Sequence, residues 1–118
     1  MDDCIFCKRA KGDPAFDTTK VVFEDENTKA FYDLHPKAPV HIILIPKAHI
    51  QSIAHLEVDH NDMVFRLLYT AKEVAKTLGL KGYKLVFNVG KEGGQTIDHL
   101  HLHMLGGWGE ADEKKVEV

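Results

Sequence analysis

No apolar run in this chain approaches the roughly 18 residues that a membrane span requires, so no membrane partner is expected. Excess charge is also scarce. Fifteen Lys and Arg against 18 Asp and Glu give a formal net charge of −3, and the pI lies near 6.2. A protein that holds nucleic acid by bulk charge needs the opposite balance, so nucleic acid is not expected either. A nucleotide pocket needs only local donors and stays open. The opening Met1-Asp2-Asp3-Cys4 has neither a basic n-region nor an apolar h-region, and a cytoplasmic protein is the expectation. Internal repeats, low-complexity tracts and linkers are missing too. The 118 residues, 44% hydrophobic, therefore read as one domain with a real core. Cysteine is limited to Cys4 and Cys7. In a reducing compartment Cys-x-x-Cys reads as half a zinc site or as a redox motif. The redox reading wants a strand followed by a helix start, which a motif three residues into the chain does not offer.

Histidine, by contrast, is plentiful, with eight residues. His35, His55 and His60 read as exposed or structural. The run His99-Leu100-His101-Leu102-His103-Met104-Leu105 does not. Its period of two is the strand period, which puts three imidazoles on one side and Leu100, Leu102 and Met104 on the other. Burying them without a task would leave up to about six ring nitrogens to satisfy. A single three-histidine metal site is disfavoured, because strand positions i and i+4 lie about 13 Å apart while zinc–nitrogen bonds are about 2.0–2.1 Å. A catalytic reading remains. An imidazole can act as nucleophile, acid or base near neutral pH. The preceding Gly93-Gly94-Gln95-Thr96 can offer backbone N–H groups and a hydroxyl to an anion, and a phosphoryl centre suits that set.

Short strands are expected over Lys20–Glu24 and Ala30–Leu34, joined by a turn at Asp25-Glu26-Asn27. Pro36 and Pro39 then enforce a non-helical connection. A nearly all-apolar strand over His41–Ile45, stopped by Pro46, reads as central. Val64, Leu67, Leu68, Ala71, Val74, Ala75 and Leu78 follow helical spacing, which predicts one long helix over Asp59–Leu78 with Asp59 as N-cap and Gly79 at the C′ stop. Strands over Tyr83–Val89 and His99–Leu105 complete an α+β fold with an antiparallel sheet. Asn88, an amide in an apolar strand, needs partners. The stretch from Gly109 to Val118 is charged and unpatterned and reads as a flexible tail.

These residues resemble the histidine-triad superfamily in its nucleotide-binding, Hint-like branch. The likeness is carried by residues 99–105, by Gly93-Gly94-Gln95-Thr96 and by Gly106-Gly107-Trp108. Phe31-Tyr32-Asp33-Leu34, Ala38-Pro39-Val40-His41 and Ile45-Pro46-Lys47-Ala48-His49 extend it. It implies a domain over 1–108 with a tail over 109–118. The implied fold is a five-stranded antiparallel sheet, one long helix and a short N-terminal helix, pairing into a ten-stranded sheet in a homodimer. The implied activity is that of a purine nucleoside phosphoramidase or nucleotidyl hydrolase, acting at the α-phosphate through a nucleotidyl-histidine. Dinucleoside polyphosphate hydrolysis, or slow nucleotide binding by a scaffold protein, is the alternative. By resemblance His101 is the nucleophile, and His41 and His99 orient it, with the carbonyl next to His99 taking part. His103 and Asn88 hold the α-phosphate, and Thr96 stands near the leaving atom within the Gly94-Gln95-Thr96 loop. Asp33 binds the ribose hydroxyls, and Ile5, Phe6, Phe31 and Leu34 wall the purine. No catalytic metal is implied. A structural zinc on Cys4, Cys7, His49 and His99 is, as in some bacterial relatives. The resemblance leaves open how His99 serves both the metal and His101.

Overall fold

The structure is a computed structural model that describes residues 4–109; the charged tail expected over 109–118 lies outside it apart from Gly109. The elements in chain order are α1 (Ile5–Ala10), β1 (Val21–Glu24), β2 (Thr28–Tyr32), β3 (Val40–Pro46), α2 (Asn61–Thr77), β4 (Tyr83–Val86) and β5 (Leu102–Gly106), with 3₁₀ turns at Ile53–His55, Val58–His60 and Lys91–Gly93. The strands form one antiparallel sheet in the order β1-β2-β3-β5-β4.

Alternation along the strands sorts side chains onto two faces. Ala30, Ile42, Leu44, Leu102 and Met104 point to one face and pack under Leu67, Ala71, Val74 and Ala75 of α2. Leu100 joins this cluster, so the apolar half of the histidine run faces α2 as its period predicts. Each large aliphatic residue buried there contributes about 1.5–3 kcal/mol, and Leu67→Ala should cost about 2–5 kcal/mol. The other face carries Phe31, Ile43 and Ile45, covered by Phe6 and Ala10 of α1. The strand histidines share this second face.

Several boundaries differ from the sequence reading, each for a local reason. Helix α2 starts at Asn61, not Asp59. Val58–His60 forms a 3₁₀ turn closed by a reciprocal Glu57–His60 capping box, which leaves Asp59 without a capping role. Its other end is as expected. Gly79, at φ +72°, allows Gly79 N–H to donate to Lys76 and Leu80 N–H to Ala75, the Schellman pattern. β2 ends at Tyr32, two residues early. Asp33 N–H still reaches the His41 carbonyl at 2.9 Å, and Asp33 Oδ1 accepts from His35 N–H at 2.8 Å, turning the chain. β4 stops at Val86, leaving Asn88 beyond the ladder. β5 begins at Leu102, so His99 and His101 precede it. Its partner β3 ends at Pro46, which has no N–H to continue the ladder, and Leu100 N–H goes instead to the Ile50 carbonyl at 2.6 Å.

Candidate functional site

His101 is buried on the α1-covered face, with its ring edge-on to Phe6 (5.1 Å between centroids) and to His103 (5.0 Å). Its Nδ1 lies 2.7 Å from the backbone carbonyl of His99. A carbonyl only accepts, so Nδ1 carries the proton and Nε2 keeps a free lone pair. Burial pushes the His101 imidazole below its ordinary pKa, against the opposing pull of the same carbonyl and of Asp33. The ring is therefore neutral and nucleophilic at neutral pH.

A second group lies beside it. Lys37 N–H donates to His41 Nδ1 at 3.0 Å, so His41 carries its proton on Nε2. That N–H faces His103 Nδ1 at 2.9 Å and Asp33 Oδ2 at 3.4 Å. His103 Nδ1 then accepts, and its proton resides on Nε2, a donor for whatever lies in the site. Burial pushes His103 down to about 4, helped by His101 and His41, and lowers His41 as well. Asp33, His41 and His103 are close enough to share a cation, but the amide on His41 Nδ1 leaves Nε2 protonated and unfit as a ligand. His41 and His103 are hydrogen-bonded instead, with Asp33 alongside. The His41 ring thus bonds to His103 and not directly to His101.

His99 is fully buried and used in three directions. Its carbonyl holds His101. Its Nε2–H donates to the Pro46 carbonyl at 2.8 Å, at the point where β3 runs out. Its Nδ1 faces Cys4 Sγ at 3.3 Å, Cys7 Sγ at 3.5 Å and His49 Nδ1 at 3.2 Å; Cys7 Sγ and His49 Nδ1 are also 3.2 Å apart. The His99 ring thus does not orient His101, and the metal and catalytic expectations for this residue fall on different atoms. Metal–nitrogen bonds of about 2.0–2.1 Å and metal–sulfur bonds of about 2.3 Å give a tetrahedron with edges of about 3.3–3.8 Å. The contacts of 3.2–3.5 Å among these donors come close to that spacing, and all four atoms lie within 4.8 Å of one another. Burial, with Cys4 alongside, raises the Cys7 thiol to about 11, and burial lowers His99 to about 4. Bare, the cluster keeps a buried thiol protonated, a state that a dication would reverse. Cys4 caps α1 by accepting from Cys7 N–H at 3.3 Å, which turns both sulfurs towards the histidines.

The glycine loop behaves otherwise than expected. Gly93 and Gln95 N–H both donate to the Gly90 carbonyl, and Gly94 N–H donates to Lys91. The Lys91–Gly93 turn has consumed three of the backbone donors expected to face an anion, while Thr96 stays exposed. Gln95 is buried and spends its amide on Gly90 N–H (2.9 Å) and on the Gln51 and Ile97 carbonyls (2.7 and 2.9 Å). It braces the loop and has nothing left for a ligand. Gly94, at φ +90°, sits against Asn88, and a Cβ there would lie 4.0 Å from the Asn88 amide. Thr96 is exposed and Asn88 half-buried. The expected purine walls are brought together in part. Phe6 and Phe31 are buried and meet edge to face at 5.7 Å, while Ile5 and Leu34 are 39% and 54% exposed at the rim. Sequence reading missed the Pro46 carbonyl and the Lys37 amide, both backbone groups. It also missed Arg9, whose place four residues after Ile5 on α1 was the available signal.

A family model for the HIT domain matches residues 16–109. The chain is 48% identical over 90 residues to an adenylylsulfatase, HINT1, of Arabidopsis thaliana, covering 74% of this chain and 61% of that protein. It is 47% identical over 90 residues to a 14 kDa zinc-binding protein of Brassica juncea, covering 74% and 80%. Among solved structures, a HIT family hydrolase from Legionella pneumophila superposes with a TM-score of 0.86 at 43% identity, covering 96% of this chain and all of that one. The sheet order, the histidine run and these matches together make the chain a member of the HIT domain family.

Proposed function

We propose that this chain is a nucleotidyl hydrolase that cleaves the P–N bond at the α-phosphate of purine nucleoside 5′-phosphoramidates. The observation that carries the reading is the 2.7 Å contact of His101 Nδ1 with the His99 carbonyl, which leaves Nε2 as a neutral nucleophile in a buried site. In the first step Nε2 forms a bond to phosphorus, the P–N bond breaks, and the leaving nitrogen takes a proton from solvent water and departs as the amine. In the second step water cleaves the P–Nε2 bond and releases the nucleoside monophosphate. His103 Nε2–H and the Asn88 amide hold the non-bridging oxygens, and Thr96 stands near the leaving nitrogen. Asp33 faces the ribose hydroxyls, with Ile5, Phe6, Phe31 and Leu34 around the base.

The name of the Arabidopsis relative supports a second substrate for the same nucleophile, adenylyl sulfate, in which sulfate is the leaving group. AMP release is measured from adenosine 5′-phosphoramidate, adenylyl sulfate and a diadenosine polyphosphate in parallel. The phosphoramidate is expected to be the best substrate. His101→Ala should lose turnover by at least about a thousandfold and show no nucleotidyl adduct by mass spectrometry. Full turnover in that variant refutes the mechanism; a stronger rate on either other substrate reassigns the leaving group.

The donor set supports a structural zinc on Cys4 Sγ, Cys7 Sγ, His49 Nδ1 and His99 Nδ1. The Brassica relative's name points the same way. The ion would supply the charge that keeps the buried thiols as thiolates and would tie α1 to the sheet. Metal analysis should find one zinc per chain, and chelation should lower Tm. No helix among the described residues is long and apolar enough to cross a membrane. The need for reduced thiols supports a cytoplasmic location.

A further inference from the structure

Arg9 lies on α1 one turn after Ile5, on the helix face that borders the proposed base slot. Its guanidinium carbon stands 5.2 Å from the Phe31 ring centre and 5.5 Å from that of Phe6. It therefore covers the two aromatic walls at once. Nε donates to the Phe16 carbonyl at 2.8 Å, which fixes the plane of the fork. The two Nη groups have no hydrogen-bond partner among the described residues. Burial lowers the Arg9 pKa, opposed by the charges of Asp17 and Asp33; the guanidinium is thus partly desolvated and lies within range of the carboxylate assigned to the ribose. A half-buried, immobilised pair of N–H₂ donors beside an aromatic slot calls for paired acceptors in a plane.

We propose that Arg9 reads the base edge and makes this site selective for 6-oxopurines. It would donate to O6 and N7 of a guanine or hypoxanthine base held against the exposed Ile5 and Leu34, outside the buried Phe6 and Phe31 rings that Arg9 covers. Guanine presents two acceptors along that edge, which a guanidinium can take in bidentate fashion. Adenine presents N7 and an amino donor, and the donor meets the fork with like polarity. The inference rests on the reading of this slot as the purine site, and it adds the identity of the base.

The test is binding, which does not depend on the reaction. Dissociation constants for GMP, IMP and AMP are measured by calorimetry on the full chain and on Arg9→Met and Arg9→Lys. Methionine keeps an apolar stem over Phe6 and Phe31, and lysine keeps the charge without the fork. The native chain should bind GMP and IMP more tightly than AMP by about 5-fold to 150-fold, the range a bidentate base contact gives. In Arg9→Met the GMP-to-AMP ratio should fall towards one, and Arg9→Lys, whose ammonium still donates to O6 or N7, should keep part of it. A ratio of affinities cancels any general weakening that the substitution causes. Equal affinities in the native chain, a preference that survives in Arg9→Met, or IMP behaving like AMP each overturn the inference. The last result would assign the preference to the 2-amino group. If none of the three nucleotides binds, the purine slot itself is wrong and the inference falls with it. If the Arg9-dependent ratio is present but no substrate turns over, the base reading stands and the reaction does not.

Discussion

Protons assign the roles of the histidines, and three backbone groups fix the protons. The Lys37 amide, the Pro46 carbonyl and the His99 carbonyl each decide which nitrogen of a neighbouring imidazole is free. Acid should therefore act in a definite direction. Folded His103 is pushed down to about 4 by burial, with His41, His101 and Asp33 around it, whereas in the unfolded chain it titrates near 6.5. Between those values the unfolded state binds more protons, so stability declines as pH falls from about 6.5 towards 4 and gains no slope from this group above about 7. Thermal melts at pH 7.5 and pH 5 should show the loss, and His103→Gln should shrink the difference; an unchanged difference would remove His103 from the account. The alternation in residues 99–105 made the histidine face legible in the sequence. The tautomers were not, because the partners that set them are backbone groups, which no side-chain pattern marks, and one of them, the Pro46 carbonyl, lies 53 residues from His99.

Among the elements, α1 is the one with least to hold it. Six residues cannot form a stable helix alone, and its docking depends on Phe6, on the Cys/His cluster and on Lys29. Lys29 is 1% exposed, and its ammonium reaches the Arg9 carbonyl and Asp17 Oδ2, both at 2.8 Å. Replacing Lys29 by Met leaves Asp17 facing an apolar neighbour, with its buried Oδ1 already lacking a partner among the described residues. The cost should be on the order of 3 kcal/mol, read as a lower urea midpoint with m unchanged. Chelation should loosen the same element from the other side, raising the reactivity of Cys4 and Cys7 towards a thiol reagent while AMP binding weakens. The existence and order of the strands and the long helix could be read from apolar periodicity. Their ends could not: β5 begins where its partner β3 runs out at Pro46, β2 turns away at Asp33, and the start of α2 is set by the Glu57–His60 capping box. The glycine loop was misread for a related reason. Gly93, Gly94 and Gln95 advertise free backbone donors, yet a 3₁₀ turn and the Gln95 amide close the loop on itself.

At the scale of the whole molecule, the apolar side chains exposed among the described residues include one group on α2 and one at β4. Phe65, Leu68 and Tyr69 make an exposed stripe on α2, and Leu85 and Val89 lie exposed on and just past the edge strand β4. A second copy of the chain, pairing β4 with β4 and α2 with α2, would cover both. Sedimentation at micromolar concentration should give twice the 13.3 kDa chain mass, and Phe65→Glu should shift the population towards monomer. A native monomer at that concentration rejects the pairing. The sheet order also has a consequence for motion. His41 and His103 lie on β3 and β5, strands flanked on both sides by others, whereas α1 and the Lys91–Gly93 turn lie outside the sheet. Amides of Ile42, Ile43 and His103 should then exchange with solvent deuterium only through global opening, and those of α1 through small local openings. His41 and His103 would then sit in the slowest-exchanging part of the protein, whereas Ile5 and Phe6 of α1 would lie in a fast-exchanging one. Such a site changes what it accepts by altering its rim, while the chemistry beneath stays fixed.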